Sequence, residues 1–281
     1  MKEQAFVNLK KFNQSKKIAI LLPLYHGDKP KALKLALRSL NFQSLRNDIF
    51  LILDGPIDKS LQQVVEDSNN ITQIIKTKNN LGLSKALNNA LDHINFDDYD
   101  FIARMDADDF SSKYRLENII SHMNNNNLDV CGSDYWIFDQ NRGRQYVKMP
   151  KNIKQMKKKI LIMSPICHPS VVFRSNVLRY ERYPENTYFQ EDYSFWVNLI
   201  EKGYKFGNRS EPLLYFRMTE ATSERRIGFR KIFYDVYDRQ YAMKIYSGSK
   251  IYGYTLIFLK FLVFLIIGKK YRLLLKLRNW V

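Results

Sequence analysis

The chain is expected to be an α/β protein with a mostly parallel sheet flanked by helices. Three observations predict this. Short apolar runs alternate with segments of helical periodicity over about the first 125 residues, the pattern of βαβ units. The runs are continuous in hydrophobicity, as strands covered on both faces require. Three of them end in Pro23-Leu24-Tyr25, Asp54-Gly55 and Asp106-Ala107-Asp108-Asp109. Sheets of this kind bind ligands beyond the carboxyl ends of their strands.

Residues 18–22 form an apolar run stopping at Pro23, read as a buried parallel strand. Residues 31–42 follow as a helix, with Leu33, Leu37 and Leu40 on one face. A second buried strand, 49–53, ends at the turn sequence Asp54-Gly55-Pro56. A helix over 60–67 carries Leu61, Val64 and Val65 on one face, and a short strand covers 72–75. A helix over 84–93 repeats Leu87, Leu91 and Ile94. A strand over 101–105 runs into the acidic segment, and a helix covers about 113–123, with 124–127 as a loop.

The second half is less regular. Strands are expected over 129–133, 135–138 and 171–173, the last preceded by His168-Pro169-Ser170. Residues 151–159, with five lysines in nine positions, begin an amphipathic helix whose charges are read as a solvated face. Glu191-Asp192 opens a helix carrying Phe195, Trp196, Leu199 and Ile200. Carboxylates at a helix start also favour the dipole, which is a purely structural reason for them.

With 281 residues and 45% hydrophobic content, the chain can bury a sizeable core. Its net charge of +17 points to anionic partners: nucleic acid, acidic lipid or a phosphorylated substrate. Two cysteines, Cys131 and Cys167, make neither a disulfide framework nor a CxxC metal site, and fit a reducing cytosol. The first ten residues lack an apolar signal core, so export is not expected.

The acidic run carries the chemistry. Three carboxylates within four residues close an apolar strand. Unpaired carboxylates repel one another and resist burial, so a cation should sit among them. A hard divalent ion shared with substrate phosphates fits best. At period two in extended backbone, Asp106 and Asp108 share a side and Asp109 points elsewhere.

From Arg239 onward there are nine Lys or Arg and no Asp or Glu. Residues 251–268 are apolar apart from Lys260. Lys269, Lys270, Arg272, Lys276 and Arg278 then alternate with leucines. A spanning helix needs ~20 apolar residues, and a central charge costs about 2.5–3.5 kcal/mol. Helices lying in the membrane interface, with basic residues on anionic headgroups, are the expected arrangement. A single spanning helix over 251–268 is the alternative, and a core helix would leave the basic tail unexplained.

Taken in order, the motifs resemble the inverting family 2 glycosyltransferases, which have the GT-A fold. The resemblance runs over most of 17–230. It rests on Ile20-Leu-Leu-Pro23-Leu-Tyr25, Leu53-Asp54-Gly55-Pro56, the run from Asn79 to Asn88 (NNLGLSKALN) and the run from Ala103 to Asp109 (ARMDADD). Glu191-Asp192-Tyr193-Ser194-Phe195-Trp196, Lys202 to Phe206 and Pro212 to Arg217 complete it. A DxD alone is weak; the ordered set is specific. The wording is similar to enzymes of bacterial surface polysaccharides (O-antigen, lipopolysaccharide, capsule), which commonly add one hexose to a sugar on polyprenyl diphosphate. A QxxRW signature and multiple spanning helices, found in processive members, are missing, which implies single additions.

The resemblance implies a GT-A domain over 1–238, with a donor half of about 17–125 and an acceptor half of about 126–238, and a membrane-associating tail over 239–281. It implies that Pro23, Tyr25 and Asp54 hold the uracil side of a UDP-sugar. Lys85 meets base or phosphate, or is a plain surface lysine. Asp106 and Ala107 lie against the nucleotide-sugar; Asp108, with Asp106, binds Mn²⁺ or Mg²⁺; Asp109 gives support. Asp192 is the general base, with Glu191 second. His168 lines the acceptor or metal side, although a lone histidine before a strand is more often structural. Arg225 and Arg226 clamp the diphosphate or meet lipid headgroups. The implied acceptor is sugar-diphospho-undecaprenol, the linkage β, and the location peripheral on the cytoplasmic face of the inner membrane. Galactose and glucose lead as donors, with N-acetylhexosamines as the alternative.

Two other classes compete. A basic module binding nucleic acid or acidic membranes would use the +17 charge. No nucleic-acid motif is present, however, and no nucleic-acid partner is expected. A metal-dependent phosphatase or nuclease would use Asp106, Asp108 and Asp109, and would release phosphate from a UDP-sugar instead of UDP.

Overall fold

The computed structural model describes residues 17–139, 143–185, 191–218 and 229–267. The first part alternates as the pattern predicts: β1 (Ile18–Leu24), α1 (Pro30–Asn41), β2 (Asp48–Leu53), α2 (Lys59–Glu66), β3 (Ile71–Lys76), α3 (Leu83–Leu91) and β4 (Phe101–Arg104). These four strands are parallel, in the order β3-β2-β1-β4. Pro30 opens α1, where its missing N–H is no loss. Asp58 caps α2 by accepting the Leu61 N–H at 2.8 Å.

Strand β1 runs two residues past its expected end at Leu22. Its pairing with β4 ends at Leu21, whose carbonyl accepts the Met105 N–H at 3.1 Å. Pro23 faces that same side, beyond the end of β4, so the ladder needs no N–H from it.

The rest comprises β5 (Phe110–Ser111), α4 (Arg115–Asn125), β6 (Val130–Asp139), β7 (Gly143–Val147), α5 (Ile153–Lys159), β8 (Val172–Arg174), α6 (Ser175–Tyr180), α7 (Glu191–Glu201), β9 (Phe206–Arg217), α8 (Phe229–Ala242) and α9 (Lys250–Ile267). The sheet continues as β4-β8-β6-β9-β5, with β7 on β6. The parallel order expected over about the first 125 residues holds in β1–β4, and the later strands make the whole sheet mixed. β8 is antiparallel to both β4 and β6, and β5 to β9; only β6 and β9 are parallel. The chain enters β8 from the His168–Ser170 turn, at the carboxyl end of β4, so it must run back against β4.

The two expected strands around Ser133 are one strand, β6, with a register shift at Asp134 opposite Pro212 of β9. The loop expected over 124–127 begins later, because α4 runs to Asn125; Asn127 then takes a φ of 50°, a conformation asparagine tolerates.

Apolar layers cover both faces of the sheet. Leu33, Leu37, Leu61, Leu116 and Ile120 build one, from α1, α2 and α4. Leu87, Leu91, Met156, Phe195 and Trp196 build the other, from α3, α5 and α7. Helix α8 closes over α7, where Ser194 donates to Asp238 at 3.3 Å. Burial pushes the Asp238 carboxyl up from 3.8 to about 6. The folded chain therefore binds this proton more tightly than the unfolded chain does. Its stabilisation is full below 3.8 and is lost as pH rises through about 6. Asp238→Asn keeps the acceptor for Ser194 and removes the titration. It is expected to stabilise the protein at neutral pH by roughly 2 kcal/mol, allowing for water that still reaches the site. Melting curves across pH 4–8 check this: the fall in stability with rising pH should flatten in the variant.

Helix α9 packs through Gly253 and Ile257, with Gly253 against Met243, and leaves Ile251, Tyr252, Tyr254, Phe258 and Leu259 exposed. Among the described residues, no helix is long and apolar enough to cross a membrane. This corrects the spanning alternative for the described part of 251–268. The basic cluster from Lys269 to Arg278 lies outside the described residues.

Candidate active site

The carboxyl ends of β1, β2 and β4 form one edge, and the acidic run sits on it. Strand β4 stops at Arg104, and the chain then turns, with the Asp109 N–H donating to the Asp106 carbonyl at 3.3 Å. This turn corrects the period-two reading, which assumed extended backbone. One oxygen from each of Asp106, Asp108 and Asp109 lies within 4.8 Å of the others. Asp109 therefore joins the cluster instead of pointing away.

Asp109 is fully buried. Its Oδ1 accepts the Arg217 N–H at 2.8 Å, and its Oδ2 has no hydrogen-bond partner among the described residues. Arg217 also donates through Nε to the Asp108 carbonyl at 2.8 Å and lies 4.6 Å over the Phe138 ring. The end of β9 thus fastens the acidic turn. Buried Arg104 pairs with Asp106, and buried Arg115 bonds the carbonyls of Arg104 and Pro169 at 3.1 and 2.9 Å.

The crowding is costly. Burial, and then the Asp106 charge, push the Asp108 carboxyl up to about 6. Burial, then Asp106 and Asp108, raise Asp109 well above the carboxylate range. Three hard oxygen donors, one of them buried without a partner, fit a divalent cation. Asp106, Asp108 and Asp109 are the residues that would hold it.

The start of α7 comes to the same edge. Burial, and next the Asp192 charge, raise the Glu191 carboxyl, and both Arg104 and Asp106 lie within its electrostatic reach. Glu191 and Asp192 occupy the first turn of α7 and are half-buried. Phe195 and Trp196 anchor the helix in the core.

The residues expected to hold a base lie beside β1 and β2. The Asp54 N–H donates to the Leu24 carbonyl at 2.9 Å, which fixes Asp54 next to Tyr25. Its carboxylate accepts the N–H groups of Leu81 and Gly82 at 2.7 and 3.0 Å. In this structure Asp54 thus organises the loop leading into α3. Gly55 has a φ of +86°, and a Cβ there would sit 2.7 Å from the Asn80 nitrogen, so glycine is required. Tyr25 is half-buried, its ring edge-on to His26, and a Cβ at Gly27 would fall 2.5 Å from that ring. Pro23 is half-buried, Ala107 buried and Lys85 exposed on α3.

His168 is buried, with Nε2 at 3.0 Å from the Tyr183 hydroxyl and its ring edge-on to Trp196. Burial, and then Arg104, hold it well below the ordinary histidine range, hence neutral. It packs as a structural histidine. Arg225 and Arg226 lie outside the described residues. Sequence reasoning gave no role to Arg104 or Arg217. An arginine at the end of an otherwise apolar strand was the available signal for the first. The second ends a quoted motif but shows its role only once β9 meets the acidic turn.

The fold and this edge give an α/β protein with three clustered carboxylates at the ends of parallel strands, a donor set suited to a divalent cation. Residues 19–180 match the model of glycosyl transferase family 2. The chain belongs to that family and is a glycosyltransferase. It is 30% identical over 219 residues to the amylovoran biosynthesis glycosyltransferase AmsE of Erwinia amylovora, covering 76% of this chain and 81% of that one. It is 28% identical over 221 residues to an Escherichia coli UDP-Gal:alpha-D-GlcNAc-diphosphoundecaprenol beta-1,3-galactosyltransferase, covering 76% and 78%. S. aureus TarS 1–349 in complex with UDP-GlcNAc shares the fold, with a TM-score of 0.63 and 17% identity over 86% of this chain and 70% of that one. The match spans 42% of a longer TarS chain. A mannosyltransferase of Pyrobaculum calidifontis, solved with GDP-Man and Mn²⁺, gives a TM-score of 0.60 at 13% identity, covering 84% of this chain and 66% of that one. These neighbours make the fold GT-A-like.

Proposed function

We propose that this glycosyltransferase inverts configuration and adds one hexose, galactose or glucose, from a UDP-sugar to a sugar-diphospho-undecaprenol acceptor. The product would be a β-linked intermediate of O-antigen, lipopolysaccharide or capsule. The observation that carries the reading is the gathering of Asp106, Asp108 and Asp109 on the edge that also receives Glu191 and Asp192. The AmsE and galactosyltransferase relatives support the surface-polysaccharide assignment.

In this mechanism Asp192 takes the proton of the acceptor hydroxyl while that oxygen bonds to the anomeric carbon. The bond from that carbon to UDP breaks on the opposite face, which inverts the centre. Mn²⁺ or Mg²⁺, when bound by the acidic turn, neutralises charge on the departing diphosphate. Arg104 holds Asp106 in place, and Arg217 holds Asp108 and Asp109 through the backbone. Tyr25 and Asp54 hold the uracil, and Glu191 supports Asp192.

The acceptor is lipid-borne in this reading, and the protein docks peripherally on the cytoplasmic face of the membrane. The exposed apolar and tyrosine side chains of α9, in a stretch free of Asp and Glu from Arg239 on, support that placement. The test uses the full chain, short-chain GlcNAc- and GalNAc-diphospho-lipids in anionic or zwitterionic vesicles, and a panel of UDP-sugars with and without Mn²⁺. Expected is UDP release with a β-linked disaccharide from a UDP-hexose, abolished by chelation and faster on anionic vesicles. Absence of transfer from every UDP-sugar, or release of free phosphate instead of UDP, contradicts the reading.

A further inference from the structure

The nucleotide side and the acceptor side of the site are far apart in sequence, yet one short helix touches both. Helix α3 begins at Leu83, directly after Gly82, whose N–H is held by Asp54. It has nine residues and is about 13 Å long. On its core side stands Asn88, 8% exposed. The Asn88 amide grips an irregular segment from the second half of the chain. Its Oδ1 accepts the Tyr183 N–H at 2.9 Å, and its Nδ2 donates to the Tyr183 carbonyl at 2.9 Å and to Glu185 Oε1 at 2.9 Å. A single side chain thus satisfies both backbone groups of a buried residue 95 positions away.

Tyr183 passes the constraint on. It is 2% exposed, and its ring centroid lies 4.4 Å from that of Phe195 on α7. Its hydroxyl meets His168, whose ring packs on Trp196 of the same helix. Packed aromatic contacts of this kind fix a helix more closely than a loop can. Six residues after Glu185 the chain reaches Glu191.

We propose that α3 is a strut joining the nucleotide-side carboxylate Asp54 to the α7 turn that carries Glu191 and Asp192, with Asn88 as a positioning residue for transfer. This rests on the reading of Asp192 as base for its kinetic consequence, though not for its structural one. Asn88→Asp keeps an acceptor for the Tyr183 N–H. It loses the donor to the Tyr183 carbonyl and sets a second carboxylate against Glu185. Adding Glu185→Gln restores a donor facing residue 88.

The test compares the full-length wild type, Asn88→Asp and the Asn88→Asp/Glu185→Gln pair. Hydrogen exchange is read at the amides of 183–185 and 191–197, alongside calorimetric binding of UDP with Mn²⁺. The first two turns of α7 should exchange at least about fivefold faster in Asn88→Asp and recover in part in the pair. UDP affinity should stay within about twofold, while turnover of UDP-galactose with the GlcNAc-diphospho-lipid falls at least about tenfold at unchanged donor KM. Faster exchange confined to 183–185, with α7 unmoved, overturns the strut, as does UDP affinity falling in step with turnover. If wild type transfers nothing, the proposed function fails, and the exchange pattern of α7 still decides the strut.

Discussion

Asp108→Asn is expected to lower sugar transfer by on the order of 10³-fold while leaving the fold at least as stable as wild type. The two halves of this expectation have one cause. Asp108 is half-buried beside Asp106 and its carboxyl is pushed up to about 6, so at neutral pH its charge is held against both partial burial and repulsion. A neutral amide of the same size relieves that strain and forfeits a cation ligand. Activity and melting temperature should therefore move in opposite directions or dissociate, a pattern common where function occupies an unfavourable arrangement. Transfer rates at saturating Mn²⁺ and a thermal melt of the same preparation check it. A parallel fall in both would show that Asp108 is a structural residue.

Asp192→Asn should lower transfer by roughly 10²–10⁴-fold, the usual worth of a general base, with UDP binding within about twofold of wild type. The separation follows from position. Asp192 stands in the first turn of α7, whereas the proposed nucleotide side draws on β1, β2, the acidic turn and the start of α3. Glu191→Gln should cost less, because Glu191 carries no proton in the mechanism. Its raised carboxyl reflects burial and the neighbouring Asp192 charge. Steady-state rates paired with UDP calorimetry for both variants decide the assignment. Full activity in Asp192→Asn would move the base elsewhere.

The legible parts of the fold were those with a simple hydrophobic code. Strands β1, β2 and β4 are continuous apolar runs because helices cover both faces, and Leu33, Leu37 and Leu40 mark α1 through helical spacing. Strand β9 went unread. Its Asn208, Arg209, Ser210 and Glu211 break the apolar pattern, and a register shift precedes Pro212. Strand β7 carries exposed Gly143, Arg144 and Gln145, and β5 has two residues, too few for any period. At the site, the closely spaced carboxylates of the acidic run are the feature from which a cation is expected. The direction of Asp109 depends on a turn after Met105, which residue spacing does not encode. Asn88 ends a quoted motif without a role of its own there, since its partners lie 95 and 97 positions away.

The cation site proposed at the Asp106–Asp109 turn is central to this reading, and anomalous scattering at the manganese edge tests it most directly. Crystals of the full chain grown with UDP and Mn²⁺ should show one strong manganese peak within coordination distance of carboxylate oxygens of the Asp106–Asp109 turn and beside the UDP diphosphate. UDP bound with no manganese at that turn, or manganese bound only at other carboxylates, would contradict it.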